Sequence, residues 1–158
     1  MMLRTIVWQG TDAPRMEIAH VHVSGGQLRA TGTQIGATYE LRYELSPDEL
    51  TLQVVGGASK TVALQGADFF DLGYSPLFNT LPVLRDGMLD DGRPREYVMR
   101  WVSVPDLAVT PSTQVYEPLP GRRVRFTAGS FVADLELDAD GFVMHYQGLA
   151  RQVGEGRP

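Results

Sequence analysis

The chain has 158 residues, 43% of them hydrophobic and 21% charged, with 14 basic against 19 acidic side chains and no cysteine. That composition suits one folded domain rather than a disordered chain. The net charge of -5 speaks against nucleic acid as a partner, and the missing thiols exclude disulfides, thiolate metal sites and a cysteine nucleophile.

The opening Met-Met-Leu-Arg-Thr-Ile-Val-Trp holds a short apolar run cut off by Gln9-Gly10-Thr11-Asp12. It lacks the longer apolar core and small-residue cleavage site of a signal peptide, and nothing approaches a membrane span. A cytoplasmic protein is expected. Val21 and Val23 then alternate with His20 and His22 before Gly25-Gly26, a two-residue hairpin signal. Two imidazoles on one strand face suit a metal, but solvent-facing histidines also alternate with valines for sheet reasons alone, and no metal site is expected.

Tyr39, Leu41, Tyr43 and Leu45 alternate with charged residues as far as the turn Ser46-Pro47-Asp48-Glu49; Leu50, Leu52 and Val54 resume the pattern, and Val62 and Leu64 follow Gly56-Gly57. This two-residue period marks half-buried strands. It breaks from Ala67 to about Arg95, where Phe69, Phe70, Leu72, Leu77, Phe78 and Leu81 have no sustained alternation. So much apolar surface is expected to pack into the sheet as a plug, with Ser75-Pro76 opening a short helical turn and Asp86 to Pro94 forming an exposed loop.

Tyr97, Met99 and Trp101 restore the alternation; Val115, Val124 and Phe126, then Phe131 to Leu137, carry it on, and Phe142 to Tyr146 closes the sheet after Asp138-Ala139-Asp140-Gly141. Asp138-x-Asp140-Gly141 imitates the start of a calcium loop but lacks the downstream glutamate, and Asp-Gly between strands reads as a turn. The expected fold is all-β: a single antiparallel curled sheet, or open barrel, of roughly eleven strands over residues 1–153, with an irregular apolar insert and a short tail at 154–158. A barrel this wide encloses more volume than its own inward side chains fill, so a plug, a ligand or both must occupy it.

The chemistry-bearing motifs are few. There is no Gly-x-Ser-x-Gly elbow and no phosphate-binding glycine loop. The carboxylates Asp71, Glu96, Asp106, Glu117 and Asp134 are scattered, with nothing to favour a catalytic pair. Asn79 and Thr80 sit among Leu77, Phe78, Leu81 and Val83, where an unpaired polar group costs a few kcal/mol, so they satisfy backbone groups of the plug or face a ligand. Gln114 and Tyr116 pose the same choice. Arg123 and Arg125 share a strand face and either line a solvated surface or meet a phosphate or sugar-acid headgroup.

The run Asp71-Leu72-Gly73-Tyr74-Ser75-Pro76-Leu77-Phe78-Asn79-Thr80-Leu81-Pro82 resembles the bacterial putative glycolipid-binding family. Trp101, Val104-Pro105-Asp106-Leu107, Gln114-Val115-Tyr116, Ala133 to Asp138, Gly141-Phe142-Val143 and Tyr146-Gln147-Gly148-Leu149 continue the resemblance in order, over residues 67–150. It implies an open, curled β-barrel similar to lipoprotein-carrier proteins, and a glycolipid or fatty-acyl ligand. The chain departs from the family pattern at Phe78, where a small polar residue is frequent, and at Leu84, where arginine is common; if both touch ligand, this pocket is the more apolar.

Together these readings predict a binder of an amphiphile rather than an enzyme, with no cofactor. The ligand-contacting residues expected are Tyr74, Asn79, Thr80 and Trp101, with Gln114, Tyr116, Arg123 and Arg125 orienting the headgroup. The alternative is a structural β module that pairs through an edge strand into a homodimer and has no ligand cavity.

Overall fold

A computed structural model describes residues 1–157. Thirteen strands form one sheet: β1 (Met2–Gly10), β2 (Arg15–Ser24), β3 (Gln27–Gly36), β4 (Glu40–Leu45), β5 (Glu49–Val54), β6 (Ser59–Ala63), β7 (Phe69–Leu72), β8 (Arg95–Val102), β9 (Val109–Leu119), β10 (Arg123–Ala128), β11 (Phe131–Leu137), β12 (Val143–Tyr146) and β13 (Ala150–Gly156). Their spatial order is β6-β5-β4-β3-β2-β1-β13-β12-β11-β10-β9-β8-β7. The chain therefore builds two meanders outward from the central β1–β13 pair. Among the described residues no helix is long and apolar enough to cross a membrane.

The alternation read from sequence decides which side chains turn inward. Leu41, Tyr43, Leu45, Leu50 and Leu52 are buried on the concave face, as are Val124, Phe126, Leu135 and Leu137 across the sheet. Gly25 and Gly26 both adopt positive φ (60° and 75°), the conformation that a two-residue turn between twisted strands demands. Gly32 has a different task. A Cβ there would collide with the Tyr43 ring and hydroxyl, so the missing side chain lets Tyr43 cross the neighbouring strand.

Two strands exceed the expected count, and each has a local reason. The tail expected from residue 154 is instead the end of β13, where Gly154, Glu155 and Gly156 pair with Val7, Ile6 and Thr5; Pro158 lies outside the described residues. The second is β7, inside the segment expected to be irregular. It runs parallel to β8, whereas every other pair in the sheet is antiparallel. A parallel pair needs a crossover of a dozen or more residues, and residues 73–94 supply it. The apolar insert is that crossover.

Within it, a 3-10 turn over Pro76–Asn79 leads into the helix α1 (Thr80–Asp86). Proline at the start of the turn loses no hydrogen bond, and Gly87 in the left-handed region (φ 59°) ends the helix. Leu77, Phe78 and Val83 are buried among the inward side chains of the sheet, with Phe78 edge-on to Tyr43 at 5.5 Å between ring centres. The plug reading holds. Phe78 thereby belongs to the core and not to a pocket wall. The stretch after α1 is exposed apart from Met88, which is buried, and Asp91, which is half-buried.

A buried cation ties the ends of the chain together. Arg4 on β1 bonds Asp138 (2.8 Å), Asp140 (3.2 Å) and Glu155 (2.5 Å), and its guanidinium lies 4.7 Å from the centre of the Phe142 ring. Asp138 also accepts the backbone N–H groups of Asp140 and Phe142, which shapes the turn between β11 and β12.

Candidate functional site

The plug does not fill the curled sheet. A cleft of about 520 Å³ remains between the start of the crossover, the facing parts of β8 and β9, and the β10–β11 hairpin. That volume falls within the roughly 300–1,000 Å³ typical of small-molecule sites. The cleft departs from the alternative reading of a structural module with no ligand cavity. Apolar walls come from Leu72, Trp101, Val104, Phe126, Tyr146 and Leu149. Tyr74 and Phe131, 47% and 50% exposed, stand at the mouth.

The polar residues of the cleft lie at its buried end. Asp71, Asn79 and Gln114 line it yet are 9%, 3% and 1% exposed. Strand phase explains Gln114: it shares the inward face of β9 with Tyr116, and both of its amide protons are used, Nε2 donating to Asp71 Oδ2 (2.7 Å) and to Ser112 Oγ (3.3 Å). Its carbonyl Oε1 is buried with no partner. Asn79, the last residue of the 3-10 turn, donates from Nδ2 to the Tyr116 hydroxyl at 3.0 Å. Asp71 ends up here because β7 is inserted edge-on beside β8 and the turn that follows is buried. Burial is the main influence on its carboxyl and pushes it up to about 6, against the favourable hydrogen bonds from Gln114 and the Leu72 backbone. Among the described residues, no arginine, lysine or histidine lines the cleft.

The turn at the mouth rests on a second buried carboxylate. Tyr74 adopts a left-handed φ of 63°, unusual for an aromatic residue. Its neighbours hold it. Ser75 Oγ donates to Glu17 Oε2 (2.7 Å), which also accepts from the Tyr43 hydroxyl (2.7 Å), while Gln34 Nε2 donates to the Gly73 carbonyl (3.1 Å) and to Glu17 Oε1 (3.3 Å). Arg15 lies over the Tyr74 ring at 4.4 Å and bonds Asp12. Burial raises the affinity of Glu17 for a proton, and the three donors oppose that rise. Glu17→Ala would strand the Tyr43 and Ser75 hydroxyls, while Gln34 keeps the Gly73 carbonyl; at about 1–3 kcal/mol for each donor left unpaired, a loss of roughly 2–6 kcal/mol is expected on urea denaturation. Glu17→Gln keeps an acceptor and should cost under about 1 kcal/mol. Equal midpoints for the two variants would remove Glu17 from the support of this turn.

The structure thus brings together four of the eight residues expected to contact ligand: Tyr74, Asn79, Trp101 and Gln114 line the cleft. Tyr116 sits one layer behind, holding Asn79. Thr80 is buried in the plug with its hydroxyl unpartnered. Arg123 and Arg125 lie elsewhere. Arg125 pairs with Asp134 (2.9 Å) and Arg123 donates to the Pro120 carbonyl (3.1 Å), both on the outer face. Their phase on β10 is opposite to that of Val124 and Phe126, which point inward. His20 and His22 are on the outer face too, His20 Nδ1 meeting Thr5 Oγ1 at 2.9 Å. Leu84, half-buried beside Gly141, does not line the cleft either.

Two residues were not among the expected ligand contacts, and both carried a signal. Asp71, counted in the sequence only as one of five scattered carboxylates, is the lone charge in Phe69-Phe70-Asp71-Leu72, the same polar-among-apolar arrangement that singled out Asn79. Glu17 falls in phase with Ala19, Val21 and Val23, on the face whose other members are buried. A charged side chain on the inward phase of a strand marks a satisfied buried network.

Comparison with known proteins agrees with this architecture. Residues 53–152, more than half of the chain, match the model of the family described as putative glycolipid-binding, and that span contains every residue lining the cleft. Among solved structures, a DUF1089 family protein from Pseudomonas aeruginosa is similar at a TM-score of 0.59, with 24% identity over 90% of this chain and 80% of that one. That likeness concerns the fold. No curated protein matches the sequence.

Proposed function

Since the chain belongs to the putative glycolipid-binding family, we propose that it binds one amphiphilic molecule in the cleft of the curled sheet, without turning it over. The supporting observation is the division inside that cleft: aromatic and aliphatic walls from Trp101, Phe126, Tyr146 and Leu149, and a small polar group of Asp71, Asn79 and Gln114. Few polar groups in an apolar cavity orient a ligand while burial supplies the affinity, at about 0.8 kcal/mol per methylene removed from water. The lining holds a single carboxylate and no imidazole, whereas two-carboxylate hydrolysis needs a facing pair. That favours a carrier or sensor over a hydrolase.

The test is what the protein carries. Native mass spectrometry of protein purified from a bacterial host should show a bound amphiphile, and Ala128→Trp, which places an indole into the cleft from the half-exposed end of β10, should lose it. Protein that carries nothing, and takes up no alkyl probe at roughly 100 μM, a concentration ample for micromolar binding, would reject the reading.

A further inference from the structure

The deep end of the cleft has a bias in hydrogen-bond polarity that restricts which amphiphile fits and which way round it enters. At Gln114 both amide protons are engaged, by Asp71 and Ser112, and the carbonyl oxygen is buried without a partner. At Asn79 the amide nitrogen is committed to Tyr116, and Oδ1 makes no hydrogen bond among the described residues. Asp71 accepts from Gln114 through Oδ2 and has acceptor capacity left over, as a carboxylate offers about four lone-pair directions. Ser75 gives its proton to Glu17, and the Ser112 hydroxyl, which accepts from Gln114, keeps a proton of its own that can turn to an acceptor. Beyond that one neutral hydroxyl, Asp71, Asn79 and Gln114 offer acceptors at this end of the cleft, one of them a carboxylate, with no cationic side chain among the lining residues to balance them.

Buried acceptors left unpaired are costly, so the complementary ligand group is one that donates. A carboxylate or phosphate brings only acceptors and negative charge, and beside Asp71 it would bury two like charges with no counter-ion. The acceptors are also at the buried end, whereas Tyr74 and Phe131 are half exposed at the mouth. Resting on the amphiphile reading above, we propose that the ligand enters polar end first, through a headgroup that donates hydrogen bonds to Asp71, Asn79 and Gln114, while its apolar chain lies outward against Phe131 and Tyr74; anionic headgroups are rejected. Hydroxyls of a neutral sugar or polyol and an ammonium group share this donor chemistry. The Tyr146 and Phe126 rings flank the polar end and offer faces to the C–H side of a sugar ring or to a cation.

The experiment holds the tail constant and varies the head. Octyl glucoside below its micellar concentration, octylammonium, octanoate and octyl phosphate are titrated calorimetrically into the full-length protein at neutral pH. Octyl glucoside or octylammonium should bind at least roughly ten-fold more tightly than either anion, the worth of a single charge-assisted hydrogen bond; which of the two leads assigns the donor to hydroxyls or to an amine. Orientation is read separately, from intermolecular nuclear Overhauser effects. Head protons should contact the side-chain amide protons of Asn79 and Gln114, and the terminal methyl should contact Phe131 and neither amide, because Phe126 and Tyr146 lie within 6.0–6.5 Å of Phe131 and cannot tell the two ends apart. Equal affinities across the four heads, or methyl contacts at the Asn79 and Gln114 amides, would overturn the inference and leave amphiphile binding standing. No binding of any of the four would overturn both.

Discussion

Asp71→Asn is expected to make the protein more stable above pH 6 and a poorer binder, two effects of opposite sign from one substitution. The carboxyl of Asp71 is buried and its affinity for protons is raised, to about 6 from the ordinary 3.8. The folded protein thus holds this proton more tightly than the unfolded chain does. Its contribution to stability is complete below about pH 3.8 and is lost as pH rises through about 6, leaving the fold roughly 3 kcal/mol poorer above that point. Asparagine has no charge to desolvate. Its amide would face Gln114, which can rotate its own amide so that the carbonyl oxygen, unpartnered in the native protein, accepts one of the new N–H protons. The variant should therefore gain up to about 3 kcal/mol at pH 8 in urea titrations and little at pH 4. Glu17, raised in the same direction by burial, keeps a residual slope of the same sign in the variant. Binding moves the other way. A hydrogen bond to a charged acceptor contributes about 1.5–3 kcal/mol, so octyl glucoside should bind roughly ten- to hundred-fold more weakly. Loss of stability at pH 8 would show that the carboxylate is stabilised by something other than ligand.

Keeping a destabilising carboxylate inside a cleft is the pattern of a functional residue rather than a structural one. The supporting groups are different in kind. Glu17 is engaged by Tyr43, Ser75 and Gln34, and Arg4 pairs with three carboxylates with only its Nε left without a partner, so the charge of each is met within the fold. Asp71, Asn79 and Gln114 each retain acceptor capacity. The contrast separates the residues that hold the cleft from those that meet what enters it.

The same contrast explains what could be read from sequence. Strand alternation is a local property, and Leu41, Tyr43, Leu45, Leu50 and Leu52 all turn inward as their period requires. The insert was legible as a plug because Leu77 and Phe78 had no amphipathic partner nearby. The cost of burying an amide was enough to single out Asn79 and Gln114. Pairing is not local. Nothing in Phe69–Leu72 announces that it joins the sheet parallel to β8, and only that pairing brings Asp71 beside Gln114. The arginines of β10 failed for a simpler reason. Val124 and Phe126 are the buried phase of that strand, so Arg123 and Arg125 had to face outward, where Asp134 on β11 meets Arg125.

Phe78→Ala should be the most damaging single change in the crossover. The side chain is 1% exposed and meets Tyr43 edge-on at 5.5 Å, and Tyr43 in turn donates to Glu17 beneath the Tyr74 turn. Truncating a buried phenylalanine costs about 3–5 kcal/mol in lost burial and residual cavity, a large part of the roughly 5–15 kcal/mol that a domain of this kind has in hand. The cavity would open between plug and sheet, one residue before Asn79 in the 3-10 turn. Two consequences follow from that adjacency. The urea midpoint should fall by the amount stated, and the cleft should lose definition, since the 3-10 turn carrying Asn79 rests on the same ring. Phe78→Leu separates them. It retains most of the buried area, so it should cost about 1–1.5 kcal/mol and leave octyl glucoside affinity close to native. If Phe78→Ala proves as mild as Phe78→Leu, the crossover is not wedged into the sheet, and the cleft has no rigid floor on which selectivity could be built.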